Sequence, residues 1–370
     1  MTPIPVNEPL LDGNEKRYLS ECIDTGWISS EGPFVGRFEK EFAASVNRRH
    51  GVAVANGTAA LEVAARALGL GPGDEVIMPS FTIISCAQAI VQCGATPVLV
   101  DSEPLTWNMD TSQIEARITD RTKAIMAVHI YGLPADMAKI IDIASRHGLK
   151  IIEDAAQAIG LRYGNRPCGS FGEVSIVSFY PNKHITTGEG GMVLTDDLQL
   201  AERCRALANL CFQPQQRFLH DELGWNYRMT NLQAAVGCAQ LERLASHVQR
   251  KREIGRLYDS LLAGCPVQRP LLAAHDTENI YWVYGLVLPE EIPLTAADAM
   301  AMLACKGIGT RPFFWPMHQQ PVFQRMGLFP NLVLPVSERL ARRGFYLPSG
   351  LALTDAQIHH VADEVKNILL

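Results

Sequence analysis

A chain of 370 residues is far too long for a small disulfide-stapled fold and, at roughly 150 residues per domain, predicts two or three domains. With 47% hydrophobic and 19% charged residues it has a globular composition, which excludes disorder as its dominant state. The net charge of −6 argues against a duplex-binding surface, so no nucleic-acid partner is expected.

Nine cysteines scattered from Cys22 to Cys305, with no Cys-x-x-Cys pair, fit neither a disulfide framework nor a zinc ribbon. Reduced thiols in a cytoplasmic protein are the simplest reading, with no metal site. The opening MTPIPVNEPL has no basic segment followed by an apolar one, so no signal peptide is expected. Residues 76–100 carry no charged side chain, but Pro79, Gln88, Gln92, Gly94 and Pro97 interrupt them. They read as strand, buried helix, turn and strand instead of a membrane span.

From about residue 50 short apolar runs alternate with longer amphipathic ones, the pattern of a mostly parallel sheet between crossover helices. Strands are predicted at 52–55, 75–78, 97–100, 123–128, 150–153, 174–179 and 191–194, with helices at 58–68, 82–93, 112–118, 135–147 and 198–207. The ligand crevice of such a sheet lies at the C-terminal ends of its strands. Beyond residue 244 come a helix at 250–262, the alternating run YWVYGLVL, a helix opened by Thr295, and a helix from Asp355 led by the capping box Thr354-x-x-Gln357. The expected organisation is an N-terminal segment 1–30, a large α/β domain 31–244 and a smaller α+β domain 245–370.

The segment SFYPNKHITTGEGGMVLTDD, 178–197, is the richest in chemistry. Lys183 follows a strand and precedes Gly188-Glu189-Gly190-Gly191, where glycines leave room for a planar ligand beside the amine. Most loop lysines are solvated charges, so the neighbouring motifs must carry the argument. Asp154 ends the apolar run LKIIE, where a carboxylate in the crevice calls for a cationic partner; the plain alternative is a helix cap. At Asn56-Gly57-Thr58 a strand passes into a helix whose free N–H groups suit a phosphate monoester. Gly-x-Gly-x-x-Gly is missing there, so this is no dinucleotide fingerprint. An amine, an acid for a ring nitrogen and a phosphate cradle together match pyridoxal phosphate.

In order, NGTAAL, GDEVIMPSFT, VDSEPLTWNMD, KAIMAVHIYG, EDAAQAIG, SFYPNKHITTGEGGMV and NYRMTNLQAAVGCAQLERL resemble the DegT-type sugar aminotransferases of pyridoxal-phosphate fold type I along nearly the whole chain. The stretches 12–43 and GTRPFFWPMH are most similar to the branch that aminates C4 of GDP-4-keto-6-deoxymannose. The resemblance implies a seven-stranded large domain and transfer from L-glutamate to a nucleotide-linked 4-keto-6-deoxy sugar, with dTDP- or UDP-linked sugars as alternatives and a non-catalytic sugar-nucleotide binder as the reading from another class. By matched residue it implies Lys183 as the lysine that bonds the cofactor and Asp154 as the partner of its ring nitrogen. Gln157 would lie by the phenolic oxygen, Phe81 would stack on the ring, and Gly57, Thr58 and Ser178 would hold the phosphate. Asn226 would reach the phosphate of the partner subunit, making an obligate homodimer. Trp27, Ser29, Arg311 and His318 are candidates for sugar-nucleotide contact, because an arginine can clamp a diphosphate and an indole can stack; ordinary domain packing is their alternative. His184 and His129 read as structural.

Overall fold

The computed structural model describes residues 3–213 and 215–369. Seven strands form one sheet: β1 (His50–Val54), β2 (Glu75–Pro79), β3 (Thr96–Val100), β4 (Thr122–Val128), β5 (Lys150–Asp154), β6 (Val174–Ser178) and β7 (Gly191–Thr195), in the order β1-β7-β6-β5-β4-β2-β3. Only β7 runs antiparallel to its neighbours. It follows β6 directly, so the connection 179–190 turns back at the strand's C-terminal end and carries Lys183 there.

Strand residues alternate between two apolar layers, as a pleat of period two requires. Val52, Val54, Met126, Ile152 and Ile176 join one core with α3 (Gly57–Ala67), α4 (Ile84–Gln92) and α6 (Leu198–Ala208). On the other face Ala53, Val177 and Leu194 pack with α2 (Pro33–Ser45) and α7 (Asn231–Leu241), while Ile125 and Ile151 pack with α5 (Met137–His147). Both faces are covered, which is why the strands read as near-continuous apolar runs.

The uncharged stretch 76–100 folds as β2, α4, a turn at Gly94 (φ 84°) and β3. Among the described residues no helix is long and apolar enough to cross a membrane. The helix predicted at 112–118 is instead two 3-10 turns, Thr111–Gln113 and Glu115–Arg117. The Asp110 side chain accepts the Ser112 N–H at 3.0 Å, and Ile114 is buried between the turns, leaving too few residues for an α-helical ladder.

A second, antiparallel sheet of β8 (Tyr284–Val287), β9 (Arg311–Pro312) and β10 (Gly344–Leu347) packs with α8 (Leu244–Leu261), α9 (Ala296–Cys305) and the helix Asp355–Leu369 around Tyr258, Tyr284, Leu303 and Val361. α8 starts earlier than its apolar pattern predicts. The N-terminal segment divides its contacts. Ile4 pairs with Ile308, whereas α1 (Glu15–Thr25) lies against α7, where Tyr18 and Cys22 share a core with Ala234 and Cys238. All nine cysteines are free.

Candidate active site

At the C-terminal edge of the sheet a cavity of about 770 Å³ is lined by segments from four strand ends. After β1, Asn56 caps α3: its side chain accepts the Ala59 N–H at 2.8 Å and its carbonyl the Ala60 N–H at 3.1 Å. The first two N–H groups of the helix, on Gly57 and Thr58, are left to the cavity, with the positive end of the helix dipole behind them. Ser178, at the end of β6, lies against this turn so closely that a Cβ on residue 57 would meet the Ser178 Cβ at 2.8 Å. Glycine is required by that approach. The Thr58 and Ser85 hydroxyls meet at 2.8 Å on the same wall.

Lys183 is delivered by the β6–β7 connection. Its N–H donates to the Tyr180 carbonyl at 2.9 Å, and Thr187 N–H and Thr186 Oγ1 both donate to the Phe179 carbonyl, at 3.0 and 2.8 Å. Gly191 permits the return into β7, since a Cβ there would stand 2.5 Å from the Asn56 carbonyl oxygen. The half-buried Lys183 side chain ends with Nζ 3.6 Å from the centre of the Trp282 ring. Enclosure pulls its pKa down to about 7, against the opposing pull of Asp154 and Cys86.

Asp154 closes β5 and is buried; burial pushes its carboxyl above the usual range, opposed by hydrogen bonds from the Ala156 N–H and the Cys86 thiol and by the charge of Lys183. Those bonds measure 2.9 Å to Oδ1 and 3.2 Å to Oδ2. No helix starts here, so the helix-cap alternative gives way to a turn bond beside the cavity. Gln157 spends its carbonyl oxygen on the Tyr131 N–H at 2.9 Å, which leaves its NH2 group to the cavity.

Other expected residues lie elsewhere. Phe81 is fully buried, with ring centroids 5.8 Å from Tyr131 and Phe313, and contributes no lining; Ile83 forms the wall instead. The physical reason is the turn after β2, which sends residue 81 into the aromatic core and residue 83 outward. His318 is buried between Ser80 Oγ (2.8 Å from Nδ1) and Glu338 Oε1 (3.0 Å from Nε2), and so takes the packing role. Trp27 and Ser29 offer carbonyls to the Asn231 side chain and N–H, and Arg311 is exposed with its guanidinium on Thr310. None of these four lines the cavity. Asn226 pairs with Asn209 and is absent from this chain's own lining, although its neighbour Tyr227 is part of it.

His184 points away from the cavity, with Nε2 on the Ile280 carbonyl at 3.0 Å. His129 Nε2 meets Glu153 Oε1 at 2.9 Å and its Nδ1 accepts the Ala135 N–H at 3.0 Å, so it is a neutral core imidazole. Ser85, Tyr227, Trp282, Phe314 and Tyr346 line the site without having been singled out. Only Trp282 and Phe314 carried a signal, as aromatics in YWVYGLVL and GTRPFFWPMH.

The donor set fits pyridoxal phosphate. Paired N–H groups and hydroxyls suit its phosphate, a buried carboxylate suits its ring nitrogen, and an enclosed amine suits its aldehyde. Fold and site together define a pyridoxal-phosphate-dependent aminotransferase of fold type I. The chain belongs to the DegT/DnrJ/EryC1/StrS aminotransferase family, whose profile matches residues 9–366. It is 44% identical over 369 residues to the GDP-perosamine synthase of Caulobacter vibrioides, covering 99% of this chain and 98% of the relative. To the GDP-perosamine synthase of Vibrio cholerae it is 42% identical over 364 residues, 98% of each. The solved structure of S. venezuelae DesV superposes with a TM-score of 0.90 at 35% identity, covering 100% of this chain and 99% of that one.

Proposed function

We propose that this aminotransferase moves the amino group of L-glutamate to C4 of a nucleotide-linked 4-keto-6-deoxy sugar, GDP-4-keto-6-deoxy-D-mannose, to give GDP-perosamine. The observation that carries the choice of sugar is the end-to-end similarity to two GDP-perosamine synthases. The geometry of Lys183 and Asp154 supports the chemistry.

Gly57, Thr58 and Ser178 would hold the cofactor phosphate, Asp154 the protonated ring nitrogen, and Gln157 the phenolic oxygen. When bound, pyridoxal phosphate supplies a carbon that exchanges amines and a ring that accepts the electron pair left by a departing proton. Lys183, about half unprotonated at pH 7 because of its enclosure, would be the base that takes the Cα proton of glutamate and passes it to the cofactor's amine-exchanging carbon. In the second half-reaction the same Nζ would take the proton from that cofactor carbon and deliver it to C4 of the sugar, the reverse of its first task. Asp154, as a buried carboxylate, keeps the ring nitrogen's proton in place throughout.

A helix N-terminus contributes roughly half a positive charge, well short of a phosphate dianion. The remaining donor we assign to Asn226 of a second copy, in a homodimer with shared sites; its exclusion from its own cavity supports that assignment. Free cysteines support a reducing, cytoplasmic setting. The test is a panel of GDP-, dTDP- and UDP-linked keto-sugars incubated with glutamate, following 2-oxoglutarate. Release with the GDP-linked 4-keto sugar alone supports the reading, and release only with another sugar overturns the substrate assignment.

A further inference from the structure

Lys251 sits in α8 with 1% of its surface exposed, and among the described residues no carboxylate pairs with it. A buried amine without a counter-ion costs more than a methionine of the same length would, so packing alone does not account for it. Its Nζ donates instead to two carbonyls, that of Trp282 at 2.9 Å and that of Ser349 at 2.6 Å.

The Trp282 main chain needs such an anchor. Tyr281, just before it, has φ 46°, a left-handed conformation that a bulky aromatic adopts only when its surroundings impose it. Asn279 Oδ1 accepts the Tyr281 N–H at 2.6 Å on one side of this kink, and Lys251 holds the Trp282 carbonyl on the other. The kink aims the indole into the active-site cavity, where Nε1–H donates to the Asn182 carbonyl at 2.9 Å and the ring face lies 3.6 Å from Lys183 Nζ. One helical turn before Lys251, His247 Nδ1 contacts the His184 carbonyl at 2.9 Å. The same face of α8 therefore grips the lysine-bearing loop and the residue that covers its amine.

We propose that Lys251 is a positioning residue for amino-group transfer: by holding the Trp282 carbonyl it sets the indole against Lys183 Nζ and fixes where that amine rests when it is not bonded to the cofactor. The inference rests on Lys183 being the reacting lysine. Lys251 touches neither cofactor nor substrate.

The test uses cofactor-free full-length protein, pulsed with acetic anhydride and digested, with acetylation of Lys183 read by mass spectrometry against exposed Lys16. Lys251→Met is expected to raise the relative labelling of Lys183 by about fivefold, the factor by which loss of one ordinary hydrogen bond shifts a local equilibrium. Lys251→Arg, which still donates, is expected within twofold of wild type. With cofactor restored, Lys251→Met should lower kcat while leaving both KM values within about twofold. If Lys251→Met does not fold, Trp282→Phe, which lacks the indole donor, should show the same rise in labelling. Wild-type labelling in whichever of these variants folds overturns the proposal. A wild-type enzyme that transfers no amino group, with labelling still responsive to Lys251, overturns the functional reading and leaves the positioning role standing.

Discussion

The amine of Lys183 and the carboxyl of Asp154 are pushed by burial in opposite directions, each toward its neutral form. For the amine this has a readable sign. With a folded pKa of about 7 against an ordinary 10.5, the unfolded chain binds a proton between those values that the folded chain has released. Lys183 therefore favours the cofactor-free fold increasingly as pH rises through that window, and its contribution is least below 7. Acylation of Lys183 in cofactor-free protein is expected to show a midpoint near pH 7, well below the ordinary lysine value of about 10.5. On the proposed reading, Asp154→Asn removes the charge that would hold a proton on the ring nitrogen. Turnover is expected to fall by about 10² to 10³, or ~3–4 kcal/mol of barrier, with cofactor absorbance retained. Near-normal turnover in that variant would reduce Asp154 to its bond with Ala156.

At the scale of elements, the seven strands were legible because each is an apolar run ended by turn chemistry, and the junction at the cavity because Asn56-Gly57-Thr58 joins a strand to a helix. Gly57→Ala tests that junction. A methyl group at 2.8 Å from the Ser178 Cβ must push the turn and β6 apart, at ~1–3 kcal/mol, and cofactor affinity measured by equilibrium dialysis should fall with it. Unchanged affinity would show that the cradle is not where phosphate binds. What stayed hidden had physical reasons. Phe81 was expected at the ring only from the family resemblance, and nothing in PSFTI tells which side chain faces the cavity once the strand's alternation stops; here it is Ile83. His318 looks available as a letter, but Ser80 and Glu338 are separated from it by 238 and 20 residues and occupy both its nitrogens. The kink at Tyr281 is invisible because an aromatic carries no mark of positive φ, and with it went the direction of the Trp282 indole and the place of Lys251.

At the scale of the whole molecule, the proposed homodimer assigns Asn226 to the site of a second copy. Lys183→Ala and Asn226→Asp are each expected to be inactive as homodimers. Co-expressed, they should recover activity, since one site of the mixed dimer then combines an intact Lys183 with an intact Asn226. No recovery in the purified heterodimer would assign Asn226 to its own chain or to the Asn209 pairing alone. The central claim, that Lys183 carries the cofactor through two half-reactions, is tested most directly by borohydride reduction followed by peptide mass spectrometry. The account predicts a pyridoxyl adduct on Lys183, lost when glutamate is added before the reductant and regained when GDP-4-keto-6-deoxymannose follows the glutamate. An adduct on another lysine, or one on Lys183 that glutamate does not remove, would contradict it.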